Sequence, residues 1–225
     1  MMNIKFGFVL LGLALVISGC TATKKNPTAL PKGVMVNKSV QVPNPVKLRY
    51  YIPKTALNSR FFAGWRGLWV NPGQGLAQGT GAAFKSHFSD SALAQFNAND
   101  EYGLLIALAP EWKPESGVLN FELGYKVFDT KGKLLLEGKE TDKADIGDIA
   151  QTAAFYNTAL KTAQVISVKV LNTLNPSLSA FPELAKIDLV AKETIADMKK
   201  PVSTGTGFFV NKNGLCLSKE RGAVF

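Results

Sequence analysis

The sequence predicts an α+β fold: a small sheet with a β-hairpin, packed by two C-terminal helices and followed by a short terminal hairpin. Three observations predict it. Apolar and polar residues alternate over residues 118–129, as in a strand with one buried face. The run "DTKG" at residues 129–132 then turns the chain into a returning strand. Residues 148–174 and 182–200 repeat apolar side chains every three or four positions, which is typical of helices.

The N-terminal residues 1–19 have the pattern of a secretory signal. Lys5 precedes an apolar run from Phe6 to Ile17, and two small residues follow that run. The run is about 12 residues long, which is too short to span a bilayer comfortably.

The stretch "VISGC" at the end of this signal resembles a bacterial lipobox. In lipoproteins the thiol of that cysteine is acylated and the cysteine becomes the new N-terminus, so the resemblance implies that Cys20 is lipidated. Thr21 follows where an Asp would stand in proteins retained at the inner membrane. By resemblance to Gram-negative lipoproteins, this implies an outer-membrane anchor that faces the periplasm or the cell surface. The alternative is an ordinary signal peptide with a chance cysteine.

Composition and charge narrow the classes of partner. The chain has 225 residues, 46% of them hydrophobic, and a formal net charge of +9. This length predicts one domain, or one domain and a fragment. The lysines are scattered, and no Lys/Arg run alternates with aromatic residues, so we predict no nucleic-acid partner. A basic lipoprotein beside an anionic lipid surface is the simpler interpretation.

Residues 20–47 have the composition of a flexible tether between the lipid and the domain. Four prolines interrupt them, and Lys, Asn and Thr dominate between the prolines. Polar segments rich in proline are extended and remain unfolded at little cost. As an alternative, residues 34–36 and 39–42 have the composition of short edge strands.

Residues 48–200 are predicted to form the α+β accessory domain. Residues 48–53 and 60–70 carry the aromatic enrichment of strands, and residues 102–110 read as a buried strand that ends at Pro110. The hairpin at 118–140 then places five residues on one face of its first strand: Leu119, Phe121, Leu123, Tyr125 and Val127.

Two helices are predicted to follow the hairpin. Asp148 can cap the first helix, and Asn175-Pro176 ends it. The second helix begins at Pro182 and ends with Lys199 and Lys200, which suit the negative end of a helix dipole. The spacing of Asp148, Ala154 and Leu160 resembles that of small periplasmic lipoprotein domains, and this resemblance implies a protein partner in the envelope.

Neither a cofactor nor a metal ion is predicted. The glycines at 73, 75, 79 and 81 suggest a phosphate-binding loop, but no Gly-Lys-Ser/Thr follows and the dinucleotide spacing is incomplete. We therefore predict that these glycines form tight turns. His87 is the single histidine and has no cysteine near it in the sequence, so a metal site is not indicated.

The C-terminal run "STGTGFFVNKNGL" at residues 203–215 resembles the first hairpin of HtrA/DegP-like trypsin-fold serine proteases. Leu217 and Ser218 match the Leu-Thr/Ser step that leads to the catalytic histidine in that family. The match then fails, because position 219 is Lys where Asn is expected and position 221 is Arg where the histidine is expected.

The resemblance implies that residues 201–225 are a truncated start of a protease domain. Hydrolysis by a Ser-His-Asp mechanism needs base, orienter and nucleophile together, and the chain lacks this triad. We predict no catalytic residue. Whether the chain is an enzyme is left uncertain, because it resembles a serine endopeptidase but lacks the Ser-His-Asp triad, and we expect it to be proteolytically inactive as given. A truncated frame also explains the solitary Cys216. The alternative is a complete outer-membrane lipoprotein that binds a protein partner and has no relation to proteases.

Overall fold

The computed structural model describes residues 23–63, 68–95, 100–115, 118–145, 152–176 and 181–187, and the backbone of 207–209 and 216–218. It confirms the α+β class. In chain order the elements are β1 (Leu48–Tyr51), α1 (Lys54–Leu57), β2 (Phe61–Ala63), β3 (Leu68–Val70), α2 (Gly73–His87), β4 (Ser91–Leu93), β5 (Glu101–Tyr102), β6 (Leu104–Glu115), β7 (Val118–Phe128), β8 (Leu134–Asp145), α3 (Thr152–Leu174), β9 (Ala185–Lys186), β10 (Gly207–Phe209) and β11 (Cys216–Ser218).

Five strands form one mixed sheet in the order β4-β1-β6-β7-β8. β1 is parallel to both of its neighbours, and Leu48 is paired with Ser91 on one side and Leu104 on the other. β6, β7 and β8 form an antiparallel meander in which Tyr125 is paired with Leu108 and Gly138. Three further antiparallel pairs lie outside this sheet: β2 with β3, β5 with β9, and β10 with β11.

The predicted hairpin of the sheet is confirmed. Burial alternates along β7, and its buried residues are those that the sequence places on one face. At the turn, the carboxylate of Asp129 accepts hydrogen bonds from the amides of Lys131 and Lys133, while Gly132 has a positive φ of 76°. This positive φ is a backbone conformation that glycine adopts without strain.

β6 continues five residues beyond the predicted stop at Pro110, to Glu115. β1 pairs with β6 only as far as Ala107, so the rest of β6 has β7 on one side and no strand of the described sheet on the other. Proline lacks an amide hydrogen, and a strand edge tolerates that loss. At Pro110, β6 is paired only with β7 in the described sheet, so the missing amide hydrogen does not break hydrogen bonding to a strand on the other side.

Two helices cover one face of the sheet, and most of the core lies between these layers. β1, β6 and β7 contribute one side of this core, and α2 and α3 contribute the other. Its largest fully buried side chains include Phe84, Phe121, Leu76, Ile106 and Leu123. On the opposite face, a smaller cluster joins Leu105 and Phe128 to Tyr102 and Ile187. The two-layer arrangement is the one that an α+β domain uses to bury an amphipathic sheet.

The helices differ in part from the prediction. α3 matches the first predicted helix from Thr152 to its end at Leu174; positions 148–151 lie outside the described residues. The predicted start of the second helix at Pro182 is wrong, because Ala185–Lys186 pair with β5. Ile187, buried beside Tyr102, is the first residue of this segment with a helical backbone. Residues 188–200 lie outside the described residues. The second helix on the sheet is α2, which precedes the meander in the chain.

The glycines at 73–81 are not turns, which corrects the prediction; they form the first half of α2. A Cβ on Gly75 would lie 2.6 Å from the Cβ of Phe155, and one on Gly79 would lie 2.3 Å from the carbonyl oxygen of Tyr156. These residues therefore let the backbones of α2 and α3 approach more closely than any side chain allows. This close packing outweighs the poor helix propensity of glycine.

Candidate functional site

Residues 23–47, here called the strap, run along the surface of α3 and not freely in solvent. Three amide side chains of α3 hold it: Asn157, Gln164 and Asn172. Seven and eight residues separate them in the sequence, about two helical turns each, so all three lie on one side of the helix. Thr23 is bound near the start of α3 and Asn37 near its end, so strap and helix run in the same direction.

The two asparagines bind the strap in the same way. The side-chain amide of Asn157 donates to the carbonyl of Thr23 at 2.9 Å and accepts from the backbone amide of Lys25 at 2.7 Å. Asn172 likewise donates to Met35 at 2.9 Å and accepts from the amide of Asn37 at 2.8 Å. A carboxamide has the same donor and acceptor pair as a peptide unit. Each asparagine side chain thus makes the same two hydrogen bonds, with residues two positions apart in the strap, that the backbone of a neighbouring strand would make.

Gln164 holds the middle of the strap. Its side-chain nitrogen donates to the carbonyls of Pro27 and Ala29 at 2.7 and 3.0 Å, and the residue is 2% exposed. Beside it, a surface cleft of about 400 Å³ separates strap and helix, bordered by Lys25, Lys32 and Lys161 among others. A side-chain amide buried at this depth without a hydrogen bond would lower the stability of the fold by ~1–3 kcal/mol. The carbonyls of the strap provide the acceptors that the amide of Gln164 needs.

Further contacts fix both ends of the strap. Lys24 donates to the side chain of Gln78 at 2.8 Å and lies 5.0 Å from the ring centroid of Tyr156. At the other end, the buried side chain of Asn44 donates to the carbonyl of Pro176 and accepts from the amide of Val46. The strap is thereby bound to α2, to α3 and to the residue pair that ends α3.

The structure differs here from the sequence-based prediction of a flexible tether over residues 20–47. The described part of that segment, residues 23–47, makes the contacts above, and residues 34–36 and 39–42 form no strand. Composition alone gives no sign of this, because the amide partners of the strap on α3 lie 132 to 137 positions away in the sequence and Gln78 lies 54 positions away. The predicted lipidation site, Cys20, lies outside the described residues, three positions before Thr23.

His87 is part of the core at the end of α2. It is 4% exposed, and its Nδ1 lies 2.9 Å from the carbonyl oxygen of Ala83. Burial lowers the pKa of His87 below its ordinary value of 6.5, and the hydrogen bond to Ala83 opposes this in part. Within the described ranges, no three His, Cys, Asp or Glu residues lie close enough together to hold a metal ion.

A buried ion cluster around Arg49 is absent from the sequence-based prediction. The guanidinium donates to Asp100 at 2.6 Å, to Asp90 at 2.8 Å and to the carbonyl of Leu48 at 2.9 Å. Burial lowers the pKa of Arg49, but the hydrogen bonds to Asp100 and Asp90 and their charges outweigh it and raise the pKa overall. The cluster joins β1 to the ends of two loops, and we assign it to the fold.

The C-terminal residues 203–218 contain a short antiparallel pair, β10 with β11. Phe208 is paired with Leu217, and Phe209 with Cys216. The backbone of this pair is described and its side chains are not, so the thiol of Cys216 lies outside the described atoms. A hairpin at this position is what the sequence predicts.

No helix in the described part of the chain combines the length and the apolar composition that crossing a membrane requires. No protein-family model matches the sequence, and no curated protein matches it.

Proposed function

We propose that the chain is an envelope lipoprotein, acylated at Cys20 and anchored in the outer membrane, where its domain binds a protein partner. The docking of the strap on α3 is the observation that supports this most. It turns the segment after the lipobox-like stretch from a spacer into a part of the domain surface.

The strap would hold the domain close to the bilayer. Thr23 is bound at the start of α3, and the three residues from Cys20 to Thr23 span ~10 Å at most. A free tether over residues 20–47 would instead have an average span of ~30 Å. With the lipid in the membrane, the first turns of α3 therefore face the headgroups.

Metabolic labelling with radioactive palmitate in an exporting Gram-negative host tests the anchor. The wild-type chain should be labelled and sediment with the outer membrane, whereas Cys20→Ser should lose both properties. Cys216→Ser is the matched control, because it removes the other cysteine of the chain. It should label as the wild type does. Equal labelling of Cys20→Ser and the wild type would refute the anchor.

A second proposal is that residues 48–200 are the accessory domain of a trypsin-like serine protease. The hairpin of β10 and β11 supports it, since the family-like residues 203–215 contribute the first of these strands. The chain as given should be inactive, because its single histidine is buried in α2 beside Ala83.

Two measurements test this second proposal. The purified chain should not react with a fluorophosphonate probe, and labelling of any serine would contradict the expected inactivity. Deleting residues 203–225 should leave the melting temperature of the accessory domain within about 2 °C of the full chain, since an isolated two-stranded hairpin contributes little stability. A larger loss would place the hairpin inside the domain core and contradict the proposed boundary.

A further inference from the structure

The hairpin of β2 and β3 has one face in the core and one face in solvent. Phe61 and Val70 are paired across the strands, and both pack against the cluster that contains Phe155. Phe62 and Trp69 form the next pair and point to the other side, where they are 49% and 64% exposed. Their ring centroids lie 5.6 Å apart. The hairpin therefore presents two aromatic rings in mutual contact, tilted by 52°, to the outside.

This exposed pair differs from the other large apolar side chains that the structure describes at the surface. Those are single residues on separate segments: Met35, Val42, Leu134 and Leu184. Single exposed apolar residues are ordinary, whereas apolar residues in mutual contact indicate a surface that meets another apolar phase. Trp is enriched at the membrane–water interface, and both Trp and Phe occur on the apolar face of elements that lie in that interface.

The hairpin lies at the same level of α3 as the start of the strap. The ring of Phe61 lies 6.4 Å from that of Phe155, while Lys24 and Thr23 contact the next two residues, Tyr156 and Asn157. Three consecutive residues of a helix span only ~3 Å along its axis. Successive helical residues are rotated by about 100°, so Phe155 and Asn157 lie on opposite sides of α3. An acyl chain on Cys20 and the exposed rings would thus meet a membrane at the same end of α3, on either side of the helix.

The cations at this end of α3 suit an anionic surface. Lys24 and Lys25 stand at the start of the strap, and Arg60 immediately precedes β2; all three are exposed. Each cation close to an anionic bilayer adds attraction to its headgroups, and amphipathic elements combine such cations with aromatic and apolar residues. These observations favour a lipid surface over a protein as the occupant.

We propose that the face formed by Phe62 and Trp69 inserts into the interfacial region of an anionic bilayer, beside the lipid anchor. The inference rests on the proposed lipoprotein function and adds a second contact with the membrane. Several acyl groups on Cys20 already make the attachment durable, and a second contact beside them fixes the orientation of the domain.

Vesicle flotation of residues 20–225 with Cys20→Ser, here called the Cys20→Ser chain, tests this, because that chain has neither an acyl group nor the apolar run of residues 6–17. The probe is a phosphatidylethanolamine vesicle with one third phosphatidylglycerol. We expect the chain to float with these vesicles and the added Phe62→Ser/Trp69→Ser change to lower its partition coefficient roughly tenfold. Met35→Ser is the matched control, since Met35 is 77% exposed but bound near the far end of α3. It should change little.

Quenching of tryptophan fluorescence by brominated lipids gives a second readout that does not depend on the double variant. Bromine near the headgroup end of the acyl chain should quench the Cys20→Ser chain, and Trp69→Phe should remove most of that quenching. Absence of flotation, equal flotation of the double variant, or an equal loss in Met35→Ser would overturn the inference. So would self-association in solution that depends on Trp69, because the pair would then be a contact between copies.

The two proposals fail in distinguishable ways. Palmitate labelling of the wild type reports on Cys20 alone, while flotation of the Cys20→Ser chain reports on the hairpin alone. Labelling without flotation would keep the anchor and refute the hairpin contact. Flotation without labelling would keep the hairpin contact and refute the anchor.

Discussion

Gly79 lies directly against the backbone of Tyr156: a Cβ on this glycine would sit 2.3 Å from the Tyr156 carbonyl oxygen and 2.9 Å from the amide nitrogen of Leu160. Backbone atoms cannot move aside as the end of a side chain can. We expect Gly79→Ala to lower the free energy of unfolding by about 2 kcal/mol, because α2 and α3 must separate. Urea denaturation measures this loss.

Gly81→Ala is the control for that substitution. Its Cβ would meet only the hydroxyl group of Tyr50, at 2.9 Å, and alanine favours the helix by ~0.5–1 kcal/mol over glycine. The free energy of unfolding should therefore stay unchanged or rise slightly. Similar losses for Gly79→Ala and Gly81→Ala would show that close helix packing does not explain these glycines.

The same glycines show where the sequence predicts the fold and where it does not. β7 and its turn are predictable, because alternation of period two and a Gly-containing turn are local patterns. A glycine-rich run, in contrast, predicts turns. It can be recognised as part of a helix only when the helix that packs against its glycines is known. That helix, α3, begins more than seventy residues later in the chain.

The docking of the strap on α3 is likewise not predictable from the sequence, because its partners are distant in the chain. Pro-rich polar residues 20–47 predict a free segment, and the three amides of α3 that bind it lie far away in the sequence. Arg49 likewise draws its partners from positions 41 and 51 residues away. Long-range hydrogen bonds of polar side chains leave no periodic signal in the sequence, whereas the apolar faces of strands and helices do.

Arg49→Met should be strongly destabilising. It leaves the carboxylate of Asp100, whose side chain is 10% exposed, without its cation. Removing one partner of a buried pair costs ~3–5 kcal/mol, which thermal and chemical unfolding would detect. Asp90→Asn should cost less than ~1 kcal/mol, because the Asp90 side chain is 51% exposed. If Asp90→Asn proved as costly as Asp100→Asn, burial would not be the deciding factor.

The stability of the domain should fall as the pH decreases below 6.5. Burial lowers the pKa of His87 in the folded chain, so the unfolded chain takes up a proton in this window that the folded chain does not. Between pH 7 and 5.5 the slope should approach but not exceed ~1.4 kcal/mol per pH unit. His87→Gln should flatten this slope, because the chain has no other histidine. An unchanged slope in the variant would mean that another group titrates there.

Asn172→Ala should loosen the strap. The change removes two hydrogen bonds to the strap: the one that Asn172 donates to the carbonyl of Met35 and the one that it accepts from the amide of Asn37. We expect trypsin to cut after Lys38 about tenfold faster, since cleavage follows the population of the open segment. Asn120→Ala is the control, as the hydrogen bond that the described residues give to its side-chain amide goes to Glu115 at the surface and not to the strap. Equal rates in Asn172→Ala and the wild type would show that the amide contacts do not retain the strap.

Mass spectrometry of the N-terminal tryptic peptide of the membrane-extracted protein tests the lipid anchor most directly. The account predicts a peptide from Cys20 to Lys24 that carries several acyl groups, and no peptide from residues 1–19. A peptide in which Cys20 has a free thiol, or one that joins Gly19 to Cys20, would contradict it.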